Sequence, residues 1–195
     1  IEKNPLSKAD LEKLSEAIDI LKHFKGFNHF QHMSGIIQGL EDRVNSAGLD
    51  GRSIVHLETN ENLRGIEFID PMYQAIRNKQ VTQLTYQSFK ARTPNVFNFH
   101  GYLLKEYRNR WFVLGRKSSK EPMVTLALDR IKAIQVMPTV KYIDNVKFDA
   151  NEFYKDVIGV TVNEGNRPQT VHLAIDRSNA PYVITKPFHH TQKIV

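Results

Sequence analysis

The stretch from Phe99 to Ile134 limits this chain to very few folds, because it reads as short strands joined by polar turns. A strand-like run, Phe99 to Leu104, breaks at the charged turn Lys105-Glu106-Tyr107-Arg108-Asn109. A second, Arg110 to Arg116, carries the sole tryptophan, Trp111. The polar segment Lys117 to Pro122 leads to a third run, Met123 to Leu128, and Asp129-Arg130-Ile131 opens a fourth. This is the pattern of an antiparallel meander. Basic side chains gather around it: residues 71–142 hold 13 Lys+Arg against 3 Asp+Glu, and the rest of the chain holds 14 against 18. The formal charge of +6 is thus one strongly basic module inside a mildly acidic chain. Such a balance favours polyanionic partners, although a merely soluble basic surface accounts for it equally well.

Upstream, Ile69 to Lys79 has helical spacing, with Asp70 placed to cap it, Pro71 suited to its first turn, and Met72, Ala75 and Ile76 on one face. Val81 to Phe89 reads as a strand, and Arg92-Thr93-Pro94-Asn95 turns into Val96-Phe97-Asn98-Phe99. Five twisted antiparallel strands behind a short helix tend to close into a small barrel, since closure removes exposed edges. Before this module, Ser7 and Asp10 resemble a capping box. The stripes Leu11/Leu14/Ile18/Leu21 and Phe30/Met33/Ile37/Leu40/Val44 mark two amphipathic helices, stopped at Gly26 and near Gly48. A short link makes them an antiparallel hairpin. A loop, Asn45 to Arg52, and a short strand, Ile54 to Leu57, follow.

After a linker strand, Pro138 to Asn145, the pattern predicts a helix over Phe148 to Val157 and a strand over Ile158 to Val162. Val171, Leu173 and Ile175 alternate with polar neighbours as in a half-buried strand, and Asp176 to Ala180 begins a helix cut short at Pro181. The expected architecture is α+β: a helical hairpin with its connecting segment over 1–64, a small antiparallel barrel over 65–142, and an α+β extension over 143–195. The chain begins at Ile1 and ends in what reads as the start of an element, so it is expected to be a piece of a longer protein.

Cysteine is absent, which excludes disulfides and thiolate chemistry and suits a cytoplasmic protein. No run of about 18 apolar residues is present, so no membrane-spanning helix is expected. His29 and His32, three apart, and His189-His190 lack suitably spaced carboxylate or thiol partners, so neither metal nor cofactor is expected. No nucleophile elbow, phosphate-binding loop or paired-acid signature appears, and no catalytic residue is assigned.

Tyr86, His100-Gly101-Tyr102-Leu103-Leu104-Lys105-Glu106-Tyr107, Arg110-Trp111-Phe112-Val113-Leu114-Gly115 and Ala127-Leu128-Asp129-Arg130-Ile131 together resemble the WYL domain of bacterial transcriptional regulators. Phe153-Tyr154, Ile158-Gly159-Val160, Val171-His172-Leu173, Tyr182 to Thr185 and Lys186 to Gln192 resemble the extension that follows that domain. The resemblance implies an Sm-like barrel that senses a ligand, with nucleic acids or nucleotides as the associated ligands, downstream of a DNA-binding winged helix-turn-helix. Nothing in the chain reads as that winged helix, so the DNA-reading part is expected to be missing. Two departures stand out: the name-giving triplet is Trp111-Phe112-Val113, without the phenol at its second position, and Gly101 stands where proline is expected, loosening the strand entry.

Strand parity places Arg110, Phe112, Leu114 and Arg116 on one face and Trp111, Val113 and Gly115 on the other. Arginine's planar fork suits phosphate, so Arg110 and Arg116 are ligand candidates; as rim residues they pair with Glu106 or Asp129 instead. Trp111 is either core or a stacking platform. Tyr86, His100 and Tyr102 carry rings for stacking or donation. Adjacent strand residues point oppositely, so Asp129 and Arg130 are not expected to pair, and the resemblance favours Arg130 in the ligand cleft. With Lys105 these make the candidate ligand set Tyr86, His100, Tyr102, Lys105, Arg110, Trp111, Arg116 and Arg130. The expected role is a non-catalytic effector-sensing module that binds a single-stranded nucleic acid or nucleotide and self-associates as a homodimer. The alternatives are a nucleotide or nucleic-acid hydrolase, with Asp129 and His100 as an acid–base pair, and a dimerisation scaffold without ligand.

Overall fold

In a computed structural model of the chain, the described residues are 63–163 and 165–195, with 7, 9–11, 13, 14, 17, 18, 39, 40, 42 and 44 nearer the N-terminus. The latter are helical at all positions but Ser7, and Ile18 and Val44 are buried against Leu14 and Leu40. Leu14 and Ile18 of the first predicted stripe therefore pack with Leu40 and Val44 of the second. Ser7 and Asp10 form the capping box, with the Asp10 amide donating to Ser7 Oγ at 3.2 Å and the Ser7 amide to Asp10 Oδ2 at 3.1 Å. Gly26, Leu21, Phe30, Met33, Ile37, Gly48, the loop 45–52, the strand 54–57 and the pair His29/His32 lie outside the described residues.

A 3-10 turn, Ile66–Phe68, leads into α1 (Ile69–Arg77), whose Ile69, Met72 and Ala75 are buried. Phe68, not Asp70, occupies the N-cap; Asp70 lies inside the first turn and accepts from Gln74 Nε2 at 3.2 Å. Five strands follow: β1 (Thr82–Tyr86), β2 (Asn95–Tyr107), β3 (Arg110–Arg116), β4 (Val124–Ala127) and β5 (Ile131–Val136). All neighbouring pairs are antiparallel, in the order β4-β3-β2-β1-β5.

The expected break at 105–109 shrinks to Arg108-Asn109, which both take positive φ, as a two-residue hairpin matched to strand twist requires. β2 is correspondingly long and serves two partners. Asn95–Phe99 pairs with β1, and His100–Tyr107 pairs with β3, with a register shift between Gly101 and Leu103. Gly101 is thus mid-strand rather than at a strand entry, facing Ile76 and Met72 of α1. Gly115 opposite is required by closeness: a Cβ there would lie 2.3 Å from the His100 carbonyl and 2.6 Å from the Phe99 ring.

The predicted closure is not formed. β4 and β5 lie at opposite edges of the sheet, because the 3-10 turn Leu128–Arg130 redirects the chain across to β1. The Asp129-Arg130 pair sits in that turn rather than opening a strand. Bending replaces closure as the way to bury the apolar face. Leu84, Phe99, Val113, Leu126, Leu128 and Ile131 form one core with Ile69 and Met72 of α1, joining both halves of the sheet.

Beyond 143 the described residues carry two short helices, α2 (Ala150–Tyr154) and α3 (Ala180–Thr185), and no strand. Asp149 caps α2, accepting from the Glu152 amide at 2.9 Å. The predicted strands do not form: 158–160 is a bend, with Gly159 at φ 122, and 171–175 carries no regular secondary structure, with Val171 and Leu173 exposed. Pro181 opens α3 instead of ending a helix, because its missing N–H costs nothing in the first turn. The α+β extension is therefore corrected to two helices and coil among the described residues. No helix among them is long and apolar enough to cross a membrane.

Candidate functional site at the bend of the sheet

The two faces of the β2–β3–β4 half have different coverings. One, with Leu104, Trp111, Val113, Val124 and Leu126, packs on the core. The other carries His100 opposite Arg116, Lys105 opposite Phe112 and Tyr107 opposite Arg110. Residues 142–154 lie across this second face. Tyr142 donates its hydroxyl to the Gly101 carbonyl, Tyr102 donates to the Ile143 carbonyl at 3.0 Å, and the Ile143 amide donates to His100 Nδ1 at 3.1 Å. Lys79, just past α1, forms an ion pair with Asp144.

The bend thus gathers His100, Tyr102, Tyr142 and Arg116. The Tyr142 ring lies 5.8 Å from His100 and 6.1 Å from Tyr102, the latter edge-on. Arg116 Nε is shielded from solvent and has no hydrogen-bond partner among the described residues. Burial first, and the Arg116 charge second, push the His100 pKa down. Its ring is therefore the neutral tautomer with Nδ1 free to accept from Ile143. Burial, then Tyr102 and Asp144, push Tyr142 up to about 12, so its phenol stays neutral and donates. Burial likewise raises Tyr102, partly opposed by Arg116. The lysine beside Asp144 holds that carboxyl below its usual range. A cationic fork among neutral rings can accept a phosphate or carboxylate and the planar group attached to it.

Of the eight sequence-predicted residues, only His100, Tyr102 and Arg116 meet here. Arg110 and Arg116 share a face but stand at opposite ends of β3, about 20 Å apart at strand rise. Arg110 lies 3.6 Å from the Asp129 carboxylate. Asp129 and Arg130 approach each other at 3.8 Å, against the strand-parity expectation, because a 3-10 turn does not alternate its side chains. Arg130 lies over the Phe89 ring at 4.5 Å. Tyr86 packs beside Phe97 at 6.3 Å, and Trp111 packs against the core. Lys105 sits 4.3 Å over the Tyr154 ring, at a cavity of about 470 Å³ bordered by Leu103, Glu152 and Lys155. The imagined Asp129–His100 couple is not formed: His100 is committed to Ile143 and faces Arg116, and Asp129 lies with Arg110 and Arg130. No three His, Asp or Glu side chains are grouped for a metal ion among the described residues.

Sequence reasoning missed Tyr142, Asp144 and Lys79. A lone tyrosine in an aperiodic segment has no local signature, since its partners are 41 residues away along the chain.

The fold and its site define a small bent-sheet module with a cationic, ring-lined surface. Residues 67–136 match the family model for the WYL domain, the family to which the stretches around Trp111-Phe112-Val113 and Asp129-Arg130-Ile131 pointed. Among solved structures, the chain is similar to Proteasome accessory factor B/C (PafBC) of Arthrobacter aurescens at 18% identity and a TM-score of 0.37. That likeness covers 54% of this chain and 16% of the other. No curated protein matches.

Proposed function

We propose that this chain is the effector-sensing part of a bacterial transcriptional regulator, non-catalytic and cytoplasmic, and that it binds a single-stranded nucleic acid or nucleotide at the bend of the sheet. The observation that carries the reading is Arg116, whose shielded Nε, beside His100, Tyr102 and Tyr142, lacks a partner among the described residues. The surrounding excess of 13 basic over 3 acidic residues over 71–142 supplies long-range attraction for a polyanion. The bound state is relayed to a DNA-reading winged helix-turn-helix elsewhere in the full protein. An Sm-like arrangement of the five strands is part of this reading. Self-association as a homodimer runs through the tail, where the segment 171–175 has no ladder partner among the described residues and exposes Val171 and Leu173.

Incubation with labelled single-stranded oligonucleotides tests the proposal. Retained, uncleaved ligand is expected. Cleavage supports a hydrolase, and no interaction supports a scaffold. Affinity falls with salt because phosphate contacts release counterions, and Arg116→Ala flattens the slope of log affinity against log salt by about 0.7. An affinity that is flat between low and high salt overturns phosphate recognition.

A further inference from the structure

The segment that covers the bend carries the same two chemistries that the bend is suited to bind. Tyr142 offers a planar ring, and Asp144, two residues on, offers an anionic group. The Tyr142 ring packs against His100 and Tyr102, while Asp144 lies on the Lys79 ammonium. A nucleotide presents that pair of groups to a protein, a ring for stacking and an anion for a cation. We propose that residues 141–145 are a built-in ligand mimic, a latch that occupies part of the effector site and is displaced when a nucleotide or single strand binds. The inference rests on the ligand reading above and adds the regulation of that same site.

Three features make the segment suited to leaving. It has no regular secondary structure, so lifting it breaks no helix or ladder. Beside the ring contacts of Tyr142, its hold on β2 is three hydrogen bonds: the Tyr142 hydroxyl on the Gly101 carbonyl, Tyr102 on the Ile143 carbonyl, and the Ile143 amide on His100. Hydrogen bonds of this kind are replaced by water at little net loss. The Lys79–Asp144 pair is solvent-exposed on both sides, with side chains 63% and 42% accessible, and such pairs contribute little to holding a segment down. Arg116 is the one member of the cluster that the latch leaves unmatched: Asp144 goes to Lys79, and no carboxylate among the described residues pairs with the guanidinium. An incoming phosphate therefore gains a contact that the latch does not make. That difference in contacts is what lets a ligand shift the equilibrium.

Displacement also gives the relay a physical path. Residues 142–145 lie on the connection from β5, which ends at Val136, to α2, whose Tyr154 ring lies under Lys105. Lifting the latch frees the segment that leads to α2 and the tail.

The test uses the full chain, a labelled single-stranded DNA of about 12 nucleotides, and the variants Tyr142→Ala and Asp144→Asn. Apparent affinity scales with the fraction of molecules whose site is open, so removing latch groups is expected to tighten binding at least about fivefold. In the unmodified chain the same DNA is expected to speed tryptic cleavage after Lys141, the first residue of the latch, and after Lys147, just beyond it. Unchanged or weaker affinity in both variants, or protection of Lys141 and Lys147 by DNA, overturns the latch while leaving the ligand site standing. Absence of binding by the unmodified chain and both variants overturns the ligand reading and the latch with it. Should Tyr142→Ala lose its folded circular dichroism, Asp144→Asn, at an exposed carboxylate, decides alone.

Discussion

Between β1 and β5 the chain buries Leu84, Phe99, Val113, Leu114 and Leu128 completely, whereas in the tail Ile158, Val171, Leu173 and Tyr182 are each more than half exposed. Both regions contain apolar residues at strand spacing, so the pattern alone does not separate them. The partners do. β1 has β2 on one side and β5 on the other, and its Leu84 and Thr82 are fully sequestered. Residues 171–175 have no ladder partner among the described residues and stay irregular. Alternation marks a chain as fit for a sheet, and a neighbouring edge turns it into a strand.

The largest effect expected from this contrast is in the core. Phe99→Ala removes a fully buried ring that touches both halves of the bent sheet, and should cost about 3–5 kcal/mol in denaturant unfolding. Trp111→Ala, at a side chain packed on the core but only half-buried, should fall at the lower end of that range. A Trp111→Ala protein that keeps its stability and loses ligand makes the ring a stacking surface instead.

Next comes the bend itself. Gly115→Ala drives a methyl into the His100 carbonyl and the Phe99 ring, both held by pairing or packing, so neither yields cheaply. Overpacking of this kind should cost about 1–3 kcal/mol. Gly159→Ala in the tail meets no atom within 4 Å but has φ 122, so its cost comes from backbone strain alone. Equal losses with identical ligand affinity in both variants would show that the bend is no more tightly built than the tail.

The bend is also where pH should act. His100 has its pKa lowered by burial and by Arg116, so the unfolded chain binds a proton at higher pH than the folded one does. Stability is therefore full above the ordinary histidine value of 6.5 and declines as pH falls below it toward the depressed folded value. Protonation also removes the acceptor that holds the Ile143 amide. His100→Asn, whose side-chain oxygen can take over the role of Nδ1, should lose that part of the acid sensitivity in melting curves measured from pH 7.5 to 5.5. An unchanged pH profile in the variant would place the titration elsewhere.

What the sequence disclosed follows the range of the interactions. The strands of the meander, α1 and the capping box at Ser7 are local patterns and are legible. The length of β2 was not, because Lys105 to Tyr107 are charged or polar and only the pairing of Lys105 with Phe112 and Glu106 with Trp111 shows them to be strand. The bend site was half legible: His100, Tyr102 and Arg116 belong to recognisable strands, while Tyr142, Asp144 and Lys79 reach it through contacts between residues far apart in the chain. Arg130 and Tyr86 lie apart from the bend for the converse reason. They lie close in sequence to the motif, but a 3-10 turn and a register shift at Thr85/Tyr86 aim them elsewhere.

The smallest effect on the folded chain should come from the tail, and it sharpens the comparison most. Val171 and Leu173 are 72% and 65% exposed and touch none of the described core. Replacing both with aspartate should change the unfolding free energy of the single chain by less than about 0.5 kcal/mol at each site, as surface substitutions do. The same change puts two charges on an edge proposed to pair with a second copy, where like charges facing one another across a ladder are repelled. Light scattering should therefore find a dimer for the unmodified chain and a monomer for the double variant, with superimposable circular dichroism. A dimer that persists in the double variant removes the tail from the interface and points to the helical stripes at Leu14, Ile18, Leu40 and Val44. Ile18 and Val44 are already buried there, so among these described stripe residues a partner would meet the half-buried Leu14 and Leu40.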